Sequence, residues 1–253
     1  MKSFMNPAEF ANIAGCEKDF WWYRGMRTIL FRMLEPHLAG RTIRRALEAG
    51  CGTGYFSRIL QTERGWPVIP ADISAEGLQY ARAMGVQRPV QADILSLPFA
   101  GGAFDMVLSM DVLPHLPRGG EERAVREFGR VLAPGGLLVI RAAALDILRS
   151  RHSRFAFERQ RFTRGRLAAA ARAAGIRVLR ATYANSLLMP VALAKFRVWE
   201  PLLHRPAASG VDPVSPWLDD LLYRVLAAEA EWIGSGRGFP LGQSLLLIGE
   251  KTI

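Results

Sequence analysis

Short apolar runs alternate with stretches of helical periodicity along much of the chain. Residues 46–47 are apolar and lead into Glu48 and alternate glycines, after which Phe56, Ile59 and Leu60 recur at helical spacing. This order is typical of a strand, a glycine turn and a helix, the opening unit of a nucleotide-binding α/β sheet. Glycines permit positive φ and a helix N-terminus follows at once, so the turn is suited to holding a ligand.

Six further apolar runs predict strands, and acids or turn residues follow several of them. Asp72 ends the first of these runs and Asp93 the second. A clear helical pattern at 121–132 is stopped by the Pro-Gly-Gly sequence at 134–136. The alternation of strands and helices predicts an α/β domain. The six runs, some with the loop that follows, are residues 66–74, 89–95, 104–116, 137–140, 178–183 and 244–249.

The glycine turn has a spacing that distinguishes it from a dinucleotide-binding loop. It reads Glu48-x-Gly50-x-Gly52-x-Gly54, and Tyr55 stands where the dinucleotide fingerprint requires its third glycine. A carboxylate at Glu48 repels a pyrophosphate but attracts an ammonium or a sulfonium. The turn strongly resembles motif I of the class I S-adenosylmethionine-dependent methyltransferases.

The resemblance continues over residues 44–141. Asp72 follows Gly50 by 22 residues, near the spacing at which a carboxylate reaches ribose hydroxyls. The sequence Arg-Val-Leu-x-Pro-Gly-Gly at 130–136, before an apolar strand, is a signature of the same family. The family implies a Rossmann-like sheet of seven mostly parallel strands with the last strand antiparallel and helices on both faces. It also implies S-adenosyl-L-methionine as cofactor and S-adenosyl-L-homocysteine as product.

The resemblance also implies roles for individual residues. Asp93 is expected to accept a hydrogen bond from the adenine amine, with Ile94 and Ile73 packed on opposite faces of the ring. The cofactor-binding residues expected in the core are Glu48, Gly50, Cys51, Gly52, Gly54, Asp72, Ile73, Asp93, Ile94 and Met110.

The first 40 residues carry an aromatic run, Phe-Trp-Trp-Tyr at 20–23, in a segment with helical character. These rings either pack in the core or form a lid that excludes water and contacts a cationic centre. The segment is similar to the aromatic N-terminal helix of many bacterial small-molecule methyltransferases. Trp22, Tyr23 and Arg27 are the predicted contacts with the cofactor.

Candidate catalytic residues are sought above the carboxyl ends of the strands, where the acceptor is expected. His115 is the preferred general base, with Asp111 as an orienting acid and Tyr183 as a further candidate; a structural histidine is the alternative interpretation of His115. His152, among arginines, is more weakly indicated. No required metal is predicted, because Pro114 stands where related quinone-pathway enzymes carry a ligand, and two donors make a poor site for a hard cation.

The chain divides by pattern into a lid, a core and an insertion. The predicted segments are a helical lid at 1–40, the methyltransferase core at 41–185, a helical insertion at 186–235 and the final core strand at 236–253. The insertion is interpreted as a substrate wall or a dimer surface, and the chain as a monomer or homodimer.

The distribution of charge along the chain does not by itself decide which kind of partner the protein binds. The net charge is +10, and residues 149–180 hold ten arginines against one acid. This stretch is a solvated basic face, a site for nucleic acid or another acidic ligand, or a membrane-surface contact. The chain lacks the Asn/Asp-Pro-Pro-Tyr sequence that stacks a flipped base after strand four, which argues against nucleic-acid bases as acceptors.

Composition completes the prediction. Cys16 and Cys51 are too few for a disulfide framework, and no signal peptide or bilayer-length apolar run is recognised, which favours the cytoplasm. The predicted function is methylation of a small molecule, of the secondary-metabolite kind, by in-line displacement. The alternatives are an RNA or protein methyltransferase that uses the arginine-rich face, and a binding protein that retains the cofactor without transferring methyl.

Overall fold

The computed structural model describes residues 5–203, 206–211 and 214–252. Residues 1–4 of the predicted lid, 204–205 and 212–213 of the predicted insertion, and 253 of the predicted last strand lie outside the described residues. Within the described part, one sheet contains seven strands. They are β1 (Ala46–Ala49), β2 (Val68–Asp72), β3 (Val90–Gln91), β4 (Phe104–Met110), β5 (Leu132–Ala143), β6 (Ile176–Ala184) and β7 (Ser244–Lys251).

The strand order in the sheet is β3-β2-β1-β4-β5-β7-β6. β1 pairs in parallel with β2 and β4, and β4 pairs in parallel with β5. β7 lies between β5 and β6 and is antiparallel to both, with Ile140 opposite Leu247. The predicted Rossmann-like fold with an antiparallel last strand is confirmed, and all parallel strands end at the same edge, above which the site lies.

Helices cover both faces of this sheet. They are α1 (Ala8–Cys16), α2 (Trp21–Leu38), α3 (Tyr55–Thr62), α4 (Ala75–Ala83), α5 (Gly120–Val131), α6 (Arg151–Phe155), α7 (Arg164–Ala173), α8 (Met189–Ala194), α9 (Glu200–Leu202) and α10 (Pro216–Gly234). A π-helical turn at Lys195–Trp199 joins α8 to α9, and single 3₁₀ turns lie at Leu113–His115 and Asp146–Leu148.

Alternation along the central strands divides the core into two layers. Val107 and Leu138 point to the face covered by α5 and α7, whereas Met106 and Val139 point to the face covered by α2, α3 and α10. All four side chains are fully buried. Each such burial stabilises the fold by roughly 1.5–3 kcal/mol, so the apolar runs of the sequence are explained by two-sided burial.

Helices α2 and α10 form one layer, although they come from opposite ends of the chain. A Cβ atom on Gly25 of α2 would lie 2.3 Å from Leu226 of α10, so glycine permits the close approach. The Asp219 carboxylate of α10 accepts hydrogen bonds from the Trp21 backbone N–H at 2.9 Å and from Arg24 at 3.2 Å. These contacts fix the first turn of α2 at the carboxyl edge of the sheet.

Three elements differ from the sequence prediction. The third strand is only Val90–Gln91, because the Asp93 carboxylate accepts the Leu95 N–H at 2.8 Å and turns the chain. The fifth strand begins at Leu132 and includes the Pro-Gly-Gly sequence that was predicted to be a turn. The first helix of the predicted insertion at 186–235 is interrupted, since α8 passes into the π-helical turn.

Candidate functional site

A cavity of about 800 Å³ opens above the carboxyl ends of the parallel strands. Its volume lies in the range of small-molecule and cofactor sites. The cavity brings together most residues predicted from sequence, although they come from separate elements. Those that line it are Trp22, Tyr23, Arg27, Glu48, Gly50, Cys51, Gly52, Asp72, Ile73, Asp93, Ile94, Met110, Asp111 and His115.

Two predicted residues are not brought to the cavity, as far as the described residues define it. Tyr183 is buried against α5 and α7 on the opposite face of the sheet, and its hydroxyl accepts the Arg164 backbone N–H at the start of α7. The structure therefore does not bring Tyr183 together with the other predicted catalytic residues. Gly54 caps α3, and a Cβ atom there would lie 2.6 Å from that of Ala81, so this glycine serves packing.

The glycine turn is held to the end of β2 by backbone and carboxylate contacts. The backbone N–H groups of Gly50 and Cys51 both donate to the Ala71 carbonyl, at 2.7 and 3.0 Å. The Asp72 carboxylate accepts the Gly52 N–H with one oxygen and the Ser74 N–H with the other, both at 2.8 Å. Burial raises the pKa of Asp72, and these N–H groups oppose the shift. Asp72 thus orders the turn and still faces the cavity.

Glu48 is a buried carboxyl group behind the glycine turn. Its Oε2 atom accepts a short hydrogen bond from the Ser57 hydroxyl. Burial, reinforced by the charges of Asp72 and Glu17, raises the pKa of Glu48 to about 8, against the Ser57 hydrogen bond. In the absence of a cationic ligand this group is therefore largely protonated at neutral pH.

A second buried acid, Glu17, was missed by the sequence reasoning. It follows α1, lines the cavity and accepts the Thr53 hydroxyl of the glycine turn at 2.6 Å. Burial raises its pKa to about 7, while the Thr53 hydrogen bond and the Arg27 charge lower it. Within the described part of the chain, its Oε1 atom is buried without a hydrogen-bond partner. The signal available in the sequence was weak, because Glu17 lies 31 residues before the motif it contacts.

Arg27, predicted to contact the cofactor, holds the segment that carries Glu17. Its guanidinium donates to the carbonyls of Glu17 at 3.1 Å and Lys18 at 3.5 Å. It also lies 5.4 Å from the ring centre of Tyr55. Arg27 therefore orders the link between α1 and α2 while it borders the cavity.

The aromatic run lies at the boundary between core and cavity. Trp22 and Tyr23 pack edge to face at 5.0 Å, and the Arg141 guanidinium lies 4.8 Å from the Trp22 ring. Arg141 donates to the Asp111 carboxylate at 2.6 and 2.8 Å. Arg141 was also missed by the sequence reasoning, and it neutralises Asp111 beside the predicted base.

His115 lies in the 3₁₀ turn after β4 and is half-buried. Burial lowers the pKa of this imidazole, which the charges of Glu158 and Asp111 partly oppose. Its Nδ1 atom is buried and has no hydrogen-bond partner among the described residues. The lowered pKa favours the neutral imidazole, and Nδ1 is not engaged by another group of the described residues. His152 also lines the cavity, but its Nδ1 already accepts the Gly210 N–H at 2.9 Å.

The outer wall of the cavity comes from the predicted insertion. Leu188, Val191 and Ala192 of the α8 region and Phe196 and Trp199 of the π-helical turn all line it. The wall is largely apolar, whereas the opposite side carries the glycine turn and the acids. Such an arrangement can hold a polar cofactor and an apolar acceptor side by side.

Among residues 5–203, 206–211 and 214–252, no group of three or more His, Cys, Asp or Glu side chains is arranged to hold a metal ion. No helix there combines the length and apolarity that crossing a bilayer requires.

Comparisons with known proteins agree with this geometry. Residues 47–140 match a family model described as a methyltransferase domain. A malonyl-acyl-carrier-protein O-methyltransferase of Enterobacter lignolyticus is 37% identical over 116 residues, covering 46% of this chain and 45% of that protein. The chloroplastic tocopherol O-methyltransferase of Arabidopsis thaliana is 34% identical over 132 residues, covering 46% of this chain and 37% of that protein.

Solved structures extend the likeness over most of the chain. Geranyl diphosphate C-methyltransferase from Streptomyces coelicolor A3(2), in complex with Mg²⁺, geranyl diphosphate and S-adenosyl-L-homocysteine, has a TM-score of 0.56 and 17% identity. The match covers 87% of this chain and 77% of that one. Residues 47–140 thus match a methyltransferase domain, and the fold of the chain is that of the solved structure. The sequence matches span less than half the length of the two curated relatives.

Proposed function

We propose that the protein transfers a methyl group from S-adenosyl-L-methionine to a small-molecule acceptor of the secondary-metabolite kind. The observation that carries this proposal is the single cavity shared by the glycine turn, His115 and the apolar wall of α8 and the π-helical turn. A wall placed over the strand ends leaves room for a compact acceptor beside the cofactor. The two relatives are O-methyltransferases of a malonyl-acyl-carrier protein and of tocopherol, which supports an acceptor of this class.

The residues in the cavity fit a cationic nucleoside. Glu48 and Glu17 are both buried acids. Glu48 accepts a hydrogen bond from the neutral Ser57 hydroxyl, and the Oε1 atom of Glu17 lacks a partner among the described residues. In the proposed arrangement Glu48 attracts the ammonium group and Asp72 accepts from the ribose hydroxyls. Asp93 and Ile94 hold the adenine. One carboxylate oxygen of Asp72 accepts the Gly52 N–H of the turn and the other the Ser74 N–H, and each oxygen has the capacity to accept a second hydrogen bond.

Methyl transfer requires little covalent chemistry from the protein. When bound, S-adenosyl-L-methionine would supply an electrophilic methyl group on a sulfonium, with S-adenosyl-L-homocysteine as the leaving group. Nδ1 of His115 would accept any proton that the acceptor loses. Positioning of the two reactants can supply roughly 7–11 kcal/mol of the barrier reduction. Trp22 and the apolar wall exclude water from this step.

Cofactor binding is expected to release a proton from Glu48 near neutral pH. The unliganded carboxyl has a pKa of about 8, and an adjacent ammonium favours the ionised form. Affinity for S-adenosyl-L-homocysteine, which keeps the ammonium without the sulfonium charge, should therefore rise by up to about tenfold per pH unit below pH 8. Isothermal titration calorimetry in buffers of different ionisation enthalpy measures the proton directly.

Glu48→Gln is the matched control for that titration, since the amide keeps the shape and cannot ionise. Its affinity should be lower and nearly independent of pH. Identical pH dependence of the affinity in the wild type and in Glu48→Gln would contradict the role of Glu48 in binding the ammonium group.

The raised pKa of Glu48 also has a consequence for the stability of the fold. The native state holds the proton between pH 4.5 and about 8, so the stability of the unliganded wild type falls as pH rises through that window.

The experiment that tests the proposed function follows label from methyl-labelled S-adenosyl-L-methionine. Purified protein is incubated with an extract of the source organism whose own methyltransferases have been inactivated, and the small-molecule, nucleic-acid and protein fractions are separated. Label in the small-molecule fraction supports the proposal. As a control, an Asp72→Asn variant, whose affinity for the cofactor is weakened, should give no label there. The mass and fragmentation of the product then identify the acceptor and the methylated atom.

The other fractions decide between the alternatives. Label in RNA or protein would assign the arginine-rich face to a polymer and overturn the small-molecule proposal. Retained cofactor with no labelled product in any fraction, over a range of extracts, would favour a binding protein without turnover.

A further inference from the structure

The segment that forms the cavity wall also carries large apolar side chains that are more than half exposed. We call its exposed residues the apolar ridge. They are Val191 (63% exposed), Val198 (52%), Trp199 (57%), Leu202 (69%) and Leu203 (55%). Two of them, Val198 and Leu202, do not belong to the cavity lining defined by the described residues, so the cavity does not account for them. Large apolar side chains clustered in this way on a surface mark an interaction site.

A basic segment, residues 146–166, lies directly against the apolar ridge. The Arg197 side chain donates to the Ile147 carbonyl at 2.7 Å, and Glu200 accepts the Arg151 N–H at 2.8 Å. The segment contains more arginines than acids, since Asp146 and Glu158 are the acids of its sequence. Ile147 and Phe157, each about half exposed, carry the apolar surface into the basic segment. Apolar and positive surface are therefore contiguous on this side of the molecule.

The acids of the basic segment are already neutralised. Asp146 pairs with Arg149 at 3.0 Å, and Glu158 pairs with Arg161 at 3.1 Å. Arg154 and Arg164 are exposed. Arg154 and Arg164 therefore expose positive charge in the basic segment.

We propose that the apolar ridge and the basic segment together bind the surface of an anionic lipid bilayer. The apolar side chains would enter the interfacial layer, where tryptophan is favoured, and the arginines would lie among the anionic headgroups. The cavity would then lie beside the bilayer, because the same segment supplies its outer wall. This inference does not depend on methyl transfer and can be tested without it.

Charge and composition favour a bilayer over the other occupants. A second copy of the chain would bring two arginine-rich segments together, and like charges in apposition are unfavourable. An RNA would satisfy the arginines but leave the aliphatic side chains of the apolar ridge exposed to water, whereas RNA readers use stacking aromatic platforms. A bilayer with anionic headgroups satisfies both parts of the surface.

Vesicle sedimentation tests the proposal. The full-length protein is mixed with sucrose-loaded vesicles of phosphatidylcholine alone, or of phosphatidylcholine with phosphatidylglycerol, at low and high salt. Binding is expected to the anionic vesicles and to weaken at high salt, because the headgroup attraction is screened. The paired variant Val198→Ser with Leu202→Ser, which leaves the cavity lining intact, should lower the partition coefficient by about tenfold.

Two tryptophans provide a matched comparison. Trp199→Ser should weaken vesicle binding, whereas Trp232→Ser should not. Trp232 is 44% exposed but lies near the other end of α10 from the cavity, against Arg237 and Phe239. Circular dichroism melts of both variants check that the fold is retained. Arg154→Gln with Arg164→Gln should reduce binding to anionic vesicles only.

Several outcomes would overturn the proposal. One is equal affinity for neutral and anionic vesicles, and another is an equal effect of Trp199→Ser and Trp232→Ser on vesicle binding. A third is that RNA displaces the protein from vesicles and that Val198→Ser with Leu202→Ser leaves the affinity for RNA unchanged. Dimerisation in sedimentation velocity that Val198→Ser with Leu202→Ser abolishes would assign the apolar ridge to a second copy instead.

Discussion

Gly50→Ala is expected to abolish cofactor binding and to destabilise the protein. At this position φ is +87°, and an added Cβ atom would lie 2.2 Å from Cγ2 of Val112 in the loop after β4. The left-handed backbone costs about 1–2 kcal/mol for alanine, and overpacking of this kind adds roughly 1–3 kcal/mol. Since Gly50 and Cys51 bond to the end of β2, relief of the clash must move the turn away from Asp72.

Gly236→Ala is the matched control for Gly50→Ala. Gly236 has φ +90°, and a Cβ atom added there would meet nothing within 4 Å, so the variant has the backbone cost without the clash. Thermal melts should therefore show a fall of a few degrees for Gly236→Ala and a clearly larger one for Gly50→Ala. Titration with S-adenosyl-L-homocysteine should show normal affinity in the control only. Equal affinity in both variants would contradict the role given to the turn.

His115→Gln is expected to lower kcat by about 10²- to 10⁴-fold on an acceptor that loses a proton. The amide cannot accept that proton, although it fills a similar space. Because burial lowers the pKa of His115, the wild-type rate should rise with pH through a midpoint below the ordinary imidazole value and then remain level. The variant should lack this rise. Affinity for S-adenosyl-L-homocysteine should change little, because the proposed contact is with the acceptor.

His152→Gln serves as the comparison for His115→Gln. Both histidines line the cavity, but Nδ1 of His152 already accepts a backbone hydrogen bond from Gly210. Steady-state rates across pH for both variants separate a general base from a nearby histidine. If the His152 variant loses the acid limb and the His115 variant keeps it, the base has been assigned to the wrong residue. An unchanged rate in both variants would indicate an acceptor that needs no base.

The fold could be predicted from sequence because its signals are local. Each buried strand is a short apolar run, and several that reach the site carry or are followed by a residue with chemistry, such as Glu48, Asp72 or Asp93. The ends of strands were predicted less accurately where a side-chain hydrogen bond or pairing with neighbouring strands decides them. Asp93 shortened β3 through its own hydrogen bond, and β5 was extended by pairing with neighbours on both sides.

The site was predictable only where residues belong to the motif. Glu17 and Arg141 reach the cavity through tertiary packing, and their partners Thr53 and Asp111 lie 36 and 30 residues away in the chain. Tyr183 shows the opposite case. It lies near the carboxyl end of a strand, as a catalytic residue would, but alternation turns its side chain to the other face of the sheet.

The contacts of α10 have a consequence for the part of the chain that forms the outer wall of the cavity. Glu229 accepts the N–H groups of Ser186 and Leu187 and fixes the chain as it leaves β6, while Asp219 fixes the start of α10 to α2. Both ends of the stretch between them are thus anchored by side chains outside it. That stretch can vary in length and composition while the core keeps its packing. The stretch could therefore be exchanged between related chains, provided that the packing of α10 against α2 is retained.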